Sequence, residues 1–299
     1  MEKAIVFLNG KAGNNYGRRN AFRIIDGLYE LDYEPTVLPV GGSRRIDLVE
    51  YLKANASQYQ LCVCVGGDGS MHHTINGVIK SGCSLPIAYI PCGTTNDYAK
   101  SLGLNIDLSA AKPLFGRDIE KIDAGLFNKE YFTYVAAFGA LTEVSYSTPQ
   151  EVKNMLGYTA YALNSVQSLP NGLSLRIPVR VESEEFTEED VYMYGSVSNC
   201  YSVAGIRSPI LEGVSLNDGL FEVILIKAPN NIGEMMEIIG TLLGGDLHTK
   251  SNRHVRMFTT KKVTFTFEEE TEWTLDGEYG GHTKKAAVSV KKQCIRLMR

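Results

Sequence analysis

The sequence has few of the features that mark secreted, membrane-spanning or zinc-binding proteins. It contains 6 cysteines and 1 tryptophan in 299 residues, with no Cys-x-x-Cys pair and no His-Glu-x-x-His run. Most of the cysteines lie in or beside apolar strand-like runs, where a reduced thiol packs as a small hydrophobe, so we predict neither a disulfide framework nor a zinc site. No apolar stretch approaches the roughly 18 residues of a membrane span, and the N-terminus becomes polar too early for a signal peptide. A cytoplasmic protein is expected.

An excess of positive charge is also absent. The chain has 30 basic and 34 acidic residues, which gives a net charge of −4 and a pI near 5.8. A chain with this balance has no electrostatic support for a nucleic-acid partner. The hydrophobic fraction of 44% is ordinary for a globular protein, and the length suffices for two hydrophobic cores.

The hydrophobic pattern changes near residue 118. Residues 1–118 alternate strand and helix signals, which predicts an α/β domain with a mostly parallel sheet. Residues 119–299 contain mainly short β-rich runs, which predicts an antiparallel β-sandwich domain, and the C-terminal residues are free to return to the first domain. Two helical insertions are predicted in the second part, at 152–169 and 232–243, because each ends at a Pro-Asn-Gly or Gly-Gly stop signal.

Two glycine-rich turns, each containing an aspartate, follow apolar runs. Residues 66–70 read Gly-Gly-Asp-Gly-Ser, and residues 93–97 read Gly-Thr-Thr-Asn-Asp. Glycine lets the backbone approach a ligand, and amides at a helix start favour an anion, so these turns predict a phosphorylated ligand. Asp68 and Asp97 are expected at the carboxyl edge of one sheet, where two acids beside phosphates imply Mg²⁺. The alternative is that both turns are ordinary strand-to-helix connections.

Several short motifs, in this order, make the chain resemble the catalytic domain of diacylglycerol kinases and related lipid kinases. They occupy residues 9–13, 66–70, 75–77, 91–97, 122–125, 216–220 and 275–278. The resemblance covers nearly the whole chain; sphingosine and ceramide kinases belong to the same group, and NAD kinases are distant relatives. It implies a Rossmann-like, NAD-kinase-like nucleotide-binding domain at 1–118 and a lipid-binding β-sandwich at 119–299. It also implies ATP-dependent phosphorylation of the primary hydroxyl of diacylglycerol or a related lipid.

The resemblance assigns a set of nucleotide-binding residues in the glycine-rich loops. This set comprises Asn9, Gly10, Lys11, Ala12, Gly13, Gly66, Gly67, Asp68, Gly69, Ser70, Met71, His72 and Thr94. Mg²⁺ held by Asp68 and Asp97, with Asp123, would neutralise the phosphate charge. Phosphoryl transfer requires little beyond position and charge, so these residues and one base would suffice for catalysis.

The segment 275–278 matches the part of the family that supplies the base. The resemblance assigns the base to Glu278, with Asp276 supporting the site or the metal. Asp68 is the alternative base, because a loose phosphoryl transition state needs little proton abstraction. It also stays open that Asp276 and Gly277 form only a two-residue hairpin turn.

A structural Mg²⁺ is implied at a further turn in the second domain. Asp218 would provide a carboxylate oxygen, and Ser215 and Leu220 would provide backbone carbonyls, which form a hard-ligand set for Mg²⁺. The simpler interpretation of residues 217–219 is a tight turn that leads into a strand.

The chain departs from the family pattern in its phosphate loops. Gly10 replaces a proline, Ser70 replaces a threonine, and His72 and His73 replace asparagine and glutamate. If that asparagine binds phosphate, a ring nitrogen of His72 has to substitute for it. These histidines are the hint for one alternative, a non-catalytic lipid- or nucleotide-binding regulator. The other alternative is a kinase of a soluble acceptor, as NAD kinases are.

The expected partners follow from the resemblance. They are ATP, a membrane lipid and, because the lipid resides there, the surface of the membrane, which the protein would contact peripherally from the cytoplasm. An exposed edge strand in the second domain would allow two subunits to pair, so a homodimer is also among the predictions.

Overall fold

The computed structural model describes residues 1–41, 46–94, 96–104, 116, 118–139, 175–200, 202–203, 206–207, 215–242 and 253–298. The predicted helix at 152–169 lies outside these residues. The chain divides into two compact units, Met1–Ala124 with Lys292–Arg299, and Gly125–Lys291. The predicted organisation in two parts, with a β-rich C-terminal part, is confirmed. None of the helices in the described ranges is long and apolar enough to cross a membrane.

The first unit alternates strands and helices. Its elements are β1 (Glu2–Asn9), α1 (Ala12–Arg19), α2 (Ala21–Glu30), β2 (Tyr33–Val40), α3 (Leu48–Asn55), β3 (Leu61–Gly66), α4 (Asp68–Ser81), β4 (Ile87–Pro91), α5 (Asp97–Ser101) and the first part of β5 (Ile119–Phe127). Strand β1 pairs in parallel with β2 and β3, and β3 pairs in parallel with β4. All six residues of β3 are buried, which explains why its sequence is an uninterrupted apolar run.

Helix α1 is the first difference from the sequence-based expectation in this unit. Ala12 and Gly13 were expected in an open phosphate loop, but they form the first turn of α1. Only Gly10 and Lys11 separate this helix from β1, and Lys11 is its N-cap residue. The chain therefore enters a helix almost directly after the strand, as it also does from β3 into α4.

The second unit consists mainly of strands. After β5 come β6 (Glu130–Phe132), β7 (Val135–Gly139), β8 (Ile177–Ser183), β9 (Thr187–Ser198), β10 (Ser202–Val203), β11 (Ile206–Arg207), β12 (Phe221–Lys227), α6 (Ile232–Leu242), β13 (Val255–Thr260), β14 (Lys262–Leu275) and β15 (Glu278–Met298). Apart from the short β10–β11 hairpin, they follow one hydrogen-bonded path, β13-β12-β9-β7-β14-β15-β5-β6, and β8 pairs with both β9 and β14.

This continuous sheet differs from the two separate sheets that a sandwich prediction implies. The reason is the length of β14, which has 14 residues and changes partner along its course. It pairs with β8 at Val263 to Phe267 and with β7 at Trp273 to Leu275, and its register with β15 shifts between Thr266 and Thr271. Such irregularities bend a strand and increase its twist. One face of the bent sheet packs an aromatic cluster around Trp273, which is fully buried.

Candidate active site

Loops at the carboxyl ends of β1, β3 and β4 meet at one edge of the parallel sheet. Their contacts are between backbones, because a Cβ on Gly13 would lie 1.9 Å from the carbonyl oxygen of Cys92, and a Cβ on Gly93 would lie 2.6 Å from Cα of Gly67. Gly13 also has a φ of 52°, a conformation that other residues adopt rarely. The glycines at these positions therefore serve to pack the loops against one another, and this packing forms one continuous rim.

A side-chain hydrogen bond joins the loop after β1 to the start of α4. Asn9 Nδ2 donates to Ser70 Oγ at 2.9 Å, and the backbone amide of Lys11 donates to Asn9 Oδ1 at 3.1 Å. Gly66 lies next to this pair, since a Cβ there would be 2.4 Å from Ser70 Oγ. Asn9, Gly66 and Ser70 are therefore brought together in one place.

Other predicted nucleotide-binding residues of α4 are placed less favourably for contact with a ligand. Met71 is fully buried, and its amide donates to the carbonyl of Gly67 at 3.1 Å, so neither its side chain nor its amide is available to a phosphate. The role of Met71 in nucleotide binding stays a prediction from the resemblance. His72 is 8% exposed, and its Nε2 lies 3.4 Å from Nδ2 of Asn76. Gly69 lies in the first turn of the helix.

The carboxylate of Asp68 caps the short helix α5. Its Oδ2 accepts from the amide of Asp97 at 3.0 Å, and its Oδ1 accepts from the amide of Tyr98 at 3.2 Å. Negative charge at a helix N-terminus is favourable. The hydroxyl of Tyr89 lies 3.5 Å from Oδ1. Burial, together with the charge of Asp68, raises the pKa of the Tyr89 phenol well above its ordinary value, so the phenol stays protonated as a donor.

The donor chemistry at this edge fits a magnesium ion. Asp97 is 4% exposed and is the first residue of α5, next to Asp68, with Lys100 Nζ 3.4 Å from its Oδ1. Mg²⁺ commonly takes one or two protein carboxylates and completes its shell with water and phosphate oxygens. The described part of the chain has no group of three or more His, Cys, Asp or Glu side chains that could hold a metal ion. Asp123, the predicted third ligand, is fully buried and accepts from the amide of Gln293 at 2.6 Å.

The turn after β4 contains residues whose roles the sequence analysis missed. The side chain of Asn96 accepts from the Gly93 amide at 2.8 Å and donates to the Gly93 carbonyl at 2.9 Å, and Asn96 has a φ of 48°. Its position directly before a helix was a usable signal, because asparagine tolerates this conformation. Tyr89 offered no such signal, since it lies inside a buried strand. Thr94, a predicted nucleotide contact, is exposed beside Gly93.

In the second unit, Asp276 and Glu278 belong to the β14–β15 hairpin and have opposite surroundings. Asp276 is 2% exposed, and its carboxylate accepts from the amides of Thr133 at 2.8 Å, Tyr134 at 2.9 Å and Val135 at 3.2 Å. Its described contacts therefore hold the turn between β6 and β7, and its support of the catalytic site or a metal stays a prediction. Glu278 is exposed, and its carboxylate has no hydrogen-bond or ion-pair partner among the described residues.

The turn before β12 carries the predicted structural metal ligands. Asp218 is exposed and its Oδ1 accepts from the amide of Leu220 at 2.8 Å, while Ser215 Oγ lies 3.1 Å from Asn217 Oδ1. Glu222, which no sequence motif indicated, has an Oε2 that is buried without a hydrogen-bond partner in the described structure. Burial, with a smaller effect from the charge of Asp218, raises the pKa of Glu222 from 4.5 to about 7. A buried carboxylate oxygen beside a second carboxylate is a donor set that fits a hard divalent cation.

Comparisons with known proteins agree on one family. The profile of the diacylglycerol kinase catalytic domain matches residues 3–127. Relatives named diacylglycerol kinase include one from Bacillus subtilis, 28% identical over 284 residues (94% of this chain and 91% of the relative), and one from Staphylococcus epidermidis, 31% identical over 232 residues (77% and 71%).

Solved structures show the same fold. A crystal structure of a diacylglycerol kinase from Bacillus anthracis strain Sterne has a TM-score of 0.74 at 21% identity and covers 99% of this chain and 96% of that chain. A second crystal structure from that strain has a TM-score of 0.81 at 24% identity and covers 99% of this chain and 95% of its own.

Proposed function

This chain belongs to the diacylglycerol kinase family, and from that premise we propose that it transfers the γ-phosphoryl group of ATP to the primary hydroxyl of diacylglycerol or a closely related lipid. The products are ADP and phosphatidic acid or its analogue. In this proposal the first unit is a Rossmann-like nucleotide-binding domain, and the second unit contributes the lipid site. The protein would act from the cytoplasm at the membrane surface, and pairing of two copies stays a prediction from the sequence.

The observation that carries the proposal is the rim of packed loops at the ends of β1, β3 and β4. Ligands of open α/β sheets bind at the carboxyl ends of the strands. At this edge the Asn9–Ser70 pair and the backbones around Gly13, Gly67 and Gly93 converge within hydrogen-bond or van der Waals distance. A rigid rim of this kind can hold the phosphates of a nucleotide in one orientation, and position is the main requirement of phosphoryl transfer.

Three further roles, which are metal binding, positioning of α5 and proton acceptance, are assigned to residues of this chain. Asp68 and Asp97 would hold Mg²⁺, which when bound supplies charge neutralisation for the phosphates. Asp68 also keeps α5 in place, because it accepts from the amides of Asp97 and Tyr98. We assign Glu278 as the base that accepts the proton of the lipid hydroxyl, since its exposed carboxylate has no competing partner among the described residues. Asp218, Glu222 and the carbonyls of Ser215 and Leu220 would hold a second, structural cation.

The proposal is tested by transfer of labelled γ-phosphate from Mg·ATP to a panel of lipids in mixed micelles. The panel contains diacylglycerol, monoacylglycerol, ceramide, undecaprenol and phosphatidylglycerol, with NAD⁺ as a soluble acceptor. The informative variant is Glu278→Gln, which removes the proposed base without breaking a contact between described residues. We expect kcat to fall about a hundredfold or more, with the thermal midpoint unchanged. Glu270→Gln, at an exposed position of β14, is the matched control and should retain full activity.

Each outcome has a definite meaning. Product on one lipid that is lost in Glu278→Gln but not in Glu270→Gln supports both the reaction and the base. Full activity in Glu278→Gln removes Glu278 as the base and moves the assignment to Asp68. Product on NAD⁺ alone would contradict a lipid acceptor, and binding of ATP with no product on any acceptor would favour a regulator over an enzyme.

A further inference from the structure

One exposed arginine of α1 lies beside the loop after β1 and has no role in the proposed reaction. Arg18 belongs to the last turn of the helix, and its side chain has no hydrogen-bond or ion-pair partner among the described residues. The Cβ and Cδ atoms of Arg18 lie 3.8 and 4.0 Å from the point that a Cβ on Gly10 would occupy. The side chain of this arginine therefore runs along the loop that leads from β1 into α1.

The backbone of α1 explains how Arg18 returns to Gly10, which precedes it in the chain. Eight residues of a regular right-handed helix would separate the two positions by about 12 Å. Gly13 and Asn15, however, have φ values of 52° and 65°, whereas a regular helix has a φ near −63°. These two left-handed residues interrupt the rise of the helix, so the second half of α1 lies back against the end of β1.

The residue before Arg18 fixes this position. Gly17 is buried, and a Cβ there would lie 3.1 Å from Cγ1 of Val65 and 3.6 Å from the carbonyl oxygen of Asn9. Val65 lies near the end of β3, and Asn9 ends β1 and donates to Ser70 Oγ. Close packing at Gly17 therefore places the base of the Arg18 side chain at the rim of packed loops, next to the Asn9–Ser70 pair.

The charge balance at this rim favours a basic side chain as a partner for phosphate. Asp68 and Asp97 add negative charge to that of a nucleotide, and Lys100 already lies 3.4 Å from Oδ1 of Asp97. The chain contains no Gly-x-x-x-x-Gly-Lys-Ser or -Thr run, so it lacks the lysine of a P-loop. A guanidinium group can bind phosphate oxygens through two parallel N–H groups. Arg18 has both the position and the chemistry for this contact.

We propose that Arg18 is a nucleotide-binding residue whose guanidinium group contacts a phosphate of ATP at the rim. This inference rests on the proposed function, because it requires a nucleotide at this edge of the sheet. Arg19 provides a matched comparison: it is exposed, belongs to the same last turn of α1 and has no hydrogen-bond or ion-pair partner in the described part of the chain. One position turns a side chain by about 100° around a helix, and no atom of Arg19 lies within 4 Å of the Cβ point of Gly10.

The experiment measures the dissociation constant of Mg·ATP by calorimetry, without lipid and at low and high salt, and the thermal midpoint of the full chain without nucleotide. Arg18→Gln should raise the dissociation constant about ten- to a hundredfold, which corresponds to the loss of a hydrogen bond to a charged group. Its thermal midpoint should stay unchanged. Arg18→Lys keeps the charge without the planar fork, so it should recover part of the affinity. Arg19→Gln should bind as the native chain does, and salt should weaken native binding more than binding by Arg18→Gln.

The contrary results are equally definite. Native affinity in Arg18→Gln overturns the assignment, and so do equal losses in Arg18→Gln and Arg19→Gln, because these would indicate a general effect of charge. A loss of affinity together with a lowered thermal midpoint would assign Arg18 a structural role instead. Absence of Mg·ATP binding by the native chain overturns both this assignment and the kinase function. ATP binding that is weakened in Arg18→Gln supports the assignment even if no lipid is phosphorylated, a result that would contradict the kinase function alone.

Discussion

At the scale of single residues, two acids of one hairpin illustrate how surroundings decide a role. Asp276 and Glu278 are separated only by Gly277, yet the first is 2% exposed and the second lies on the surface. A buried carboxylate is stable only when its charge is compensated, and the amides of residues 133–135 provide that compensation for Asp276. The carboxylate of Glu278 has no hydrogen-bond or ion-pair partner among the described residues, so its oxygens are available to accept a proton.

A first prediction concerns this difference. Asp276→Ala removes the acceptor for the amides of Thr133, Tyr134 and Val135 and leaves them buried, so we expect the free energy of unfolding to fall by about 3 kcal/mol. Asp276→Asn retains one acceptor oxygen and tolerates the φ of 53° at this position, so it should lose less. Urea denaturation followed by circular dichroism measures both. A stability in Asp276→Ala equal to that of the native chain would contradict a structural role for this carboxylate.

The acids themselves were readable from the sequence, but their contacts were not. The motif 275–278 identified both residues, whereas the amides that bind Asp276 lie more than 140 positions earlier in the chain. No local pattern encodes a contact over such a separation. The same limit applies to Tyr89, because nothing in an apolar strand sequence indicates its contact with Asp68. It applies also to Glu222, because a polar residue next to apolar ones is ordinary in a strand such as β12.

At the scale of elements, the packed loops depend on glycine for space as well as for conformation. Gly13 in α1 has a φ of 52° and lies directly against the Cys92 carbonyl. Gly82, which ends α4, has a φ of 75°, but a Cβ there would have nothing within 4 Å. The two positions share the backbone requirement and differ in the available space, so they form a matched pair.

The second prediction uses this pair. Gly82→Ala should cost about 1 kcal/mol, because only the left-handed conformation is disfavoured in an L-residue. Gly13→Ala adds a clash with backbone and should cost about 3 kcal/mol or more, and it should also weaken ATP binding because the loop after β1 has to move. Urea denaturation and ATP titration by calorimetry measure the two effects. An equal loss of unfolding free energy in both variants would show that the close approach of α1 to the Cys92 carbonyl does not contribute to stability.

Helices and strands were predicted correctly where the hydrophobic residues follow a clear pattern. The prediction failed where strands were long or polar. The apolar run before the first glycine-rich turn forms the buried strand β3, and Ile232–Leu242 forms the helix expected at 232–243. Strand β15 has 21 residues, far longer than the short β-rich runs predicted for the second part, because glycines and lysines on an exposed strand hide the alternation of apolar and polar residues. Strand β13 was missed, and α1 was not foreseen because asparagine and glycine are poor helix formers.

At the scale of the whole molecule, the last residues of β15 belong to the first unit. Leu297 and Met298 pair in parallel with Ile87 and Ala88 of β4. The side chains of Ile295 and Leu297 are 1% and 0% exposed, so this segment contributes to the core of the unit as well as to its sheet. The sequence allowed for a return of the C-terminus, but nothing in it identified β4 as the partner, since pairing of this kind joins residues about 210 positions apart.

The third prediction tests that contribution. Leu297→Ala creates a cavity in the core of the first unit and should cost about 3 kcal/mol there. Amide hydrogen exchange at β4 should accelerate about a hundredfold, whereas exchange at β12, in the second unit, should change little. Lys291→Ala, at an exposed position of the same strand, is the control and should leave both strands unaffected. Equal acceleration at β4 and β12 would show that the two units open as one cooperative body, and no acceleration at β4 would contradict the packing of the C-terminal strand.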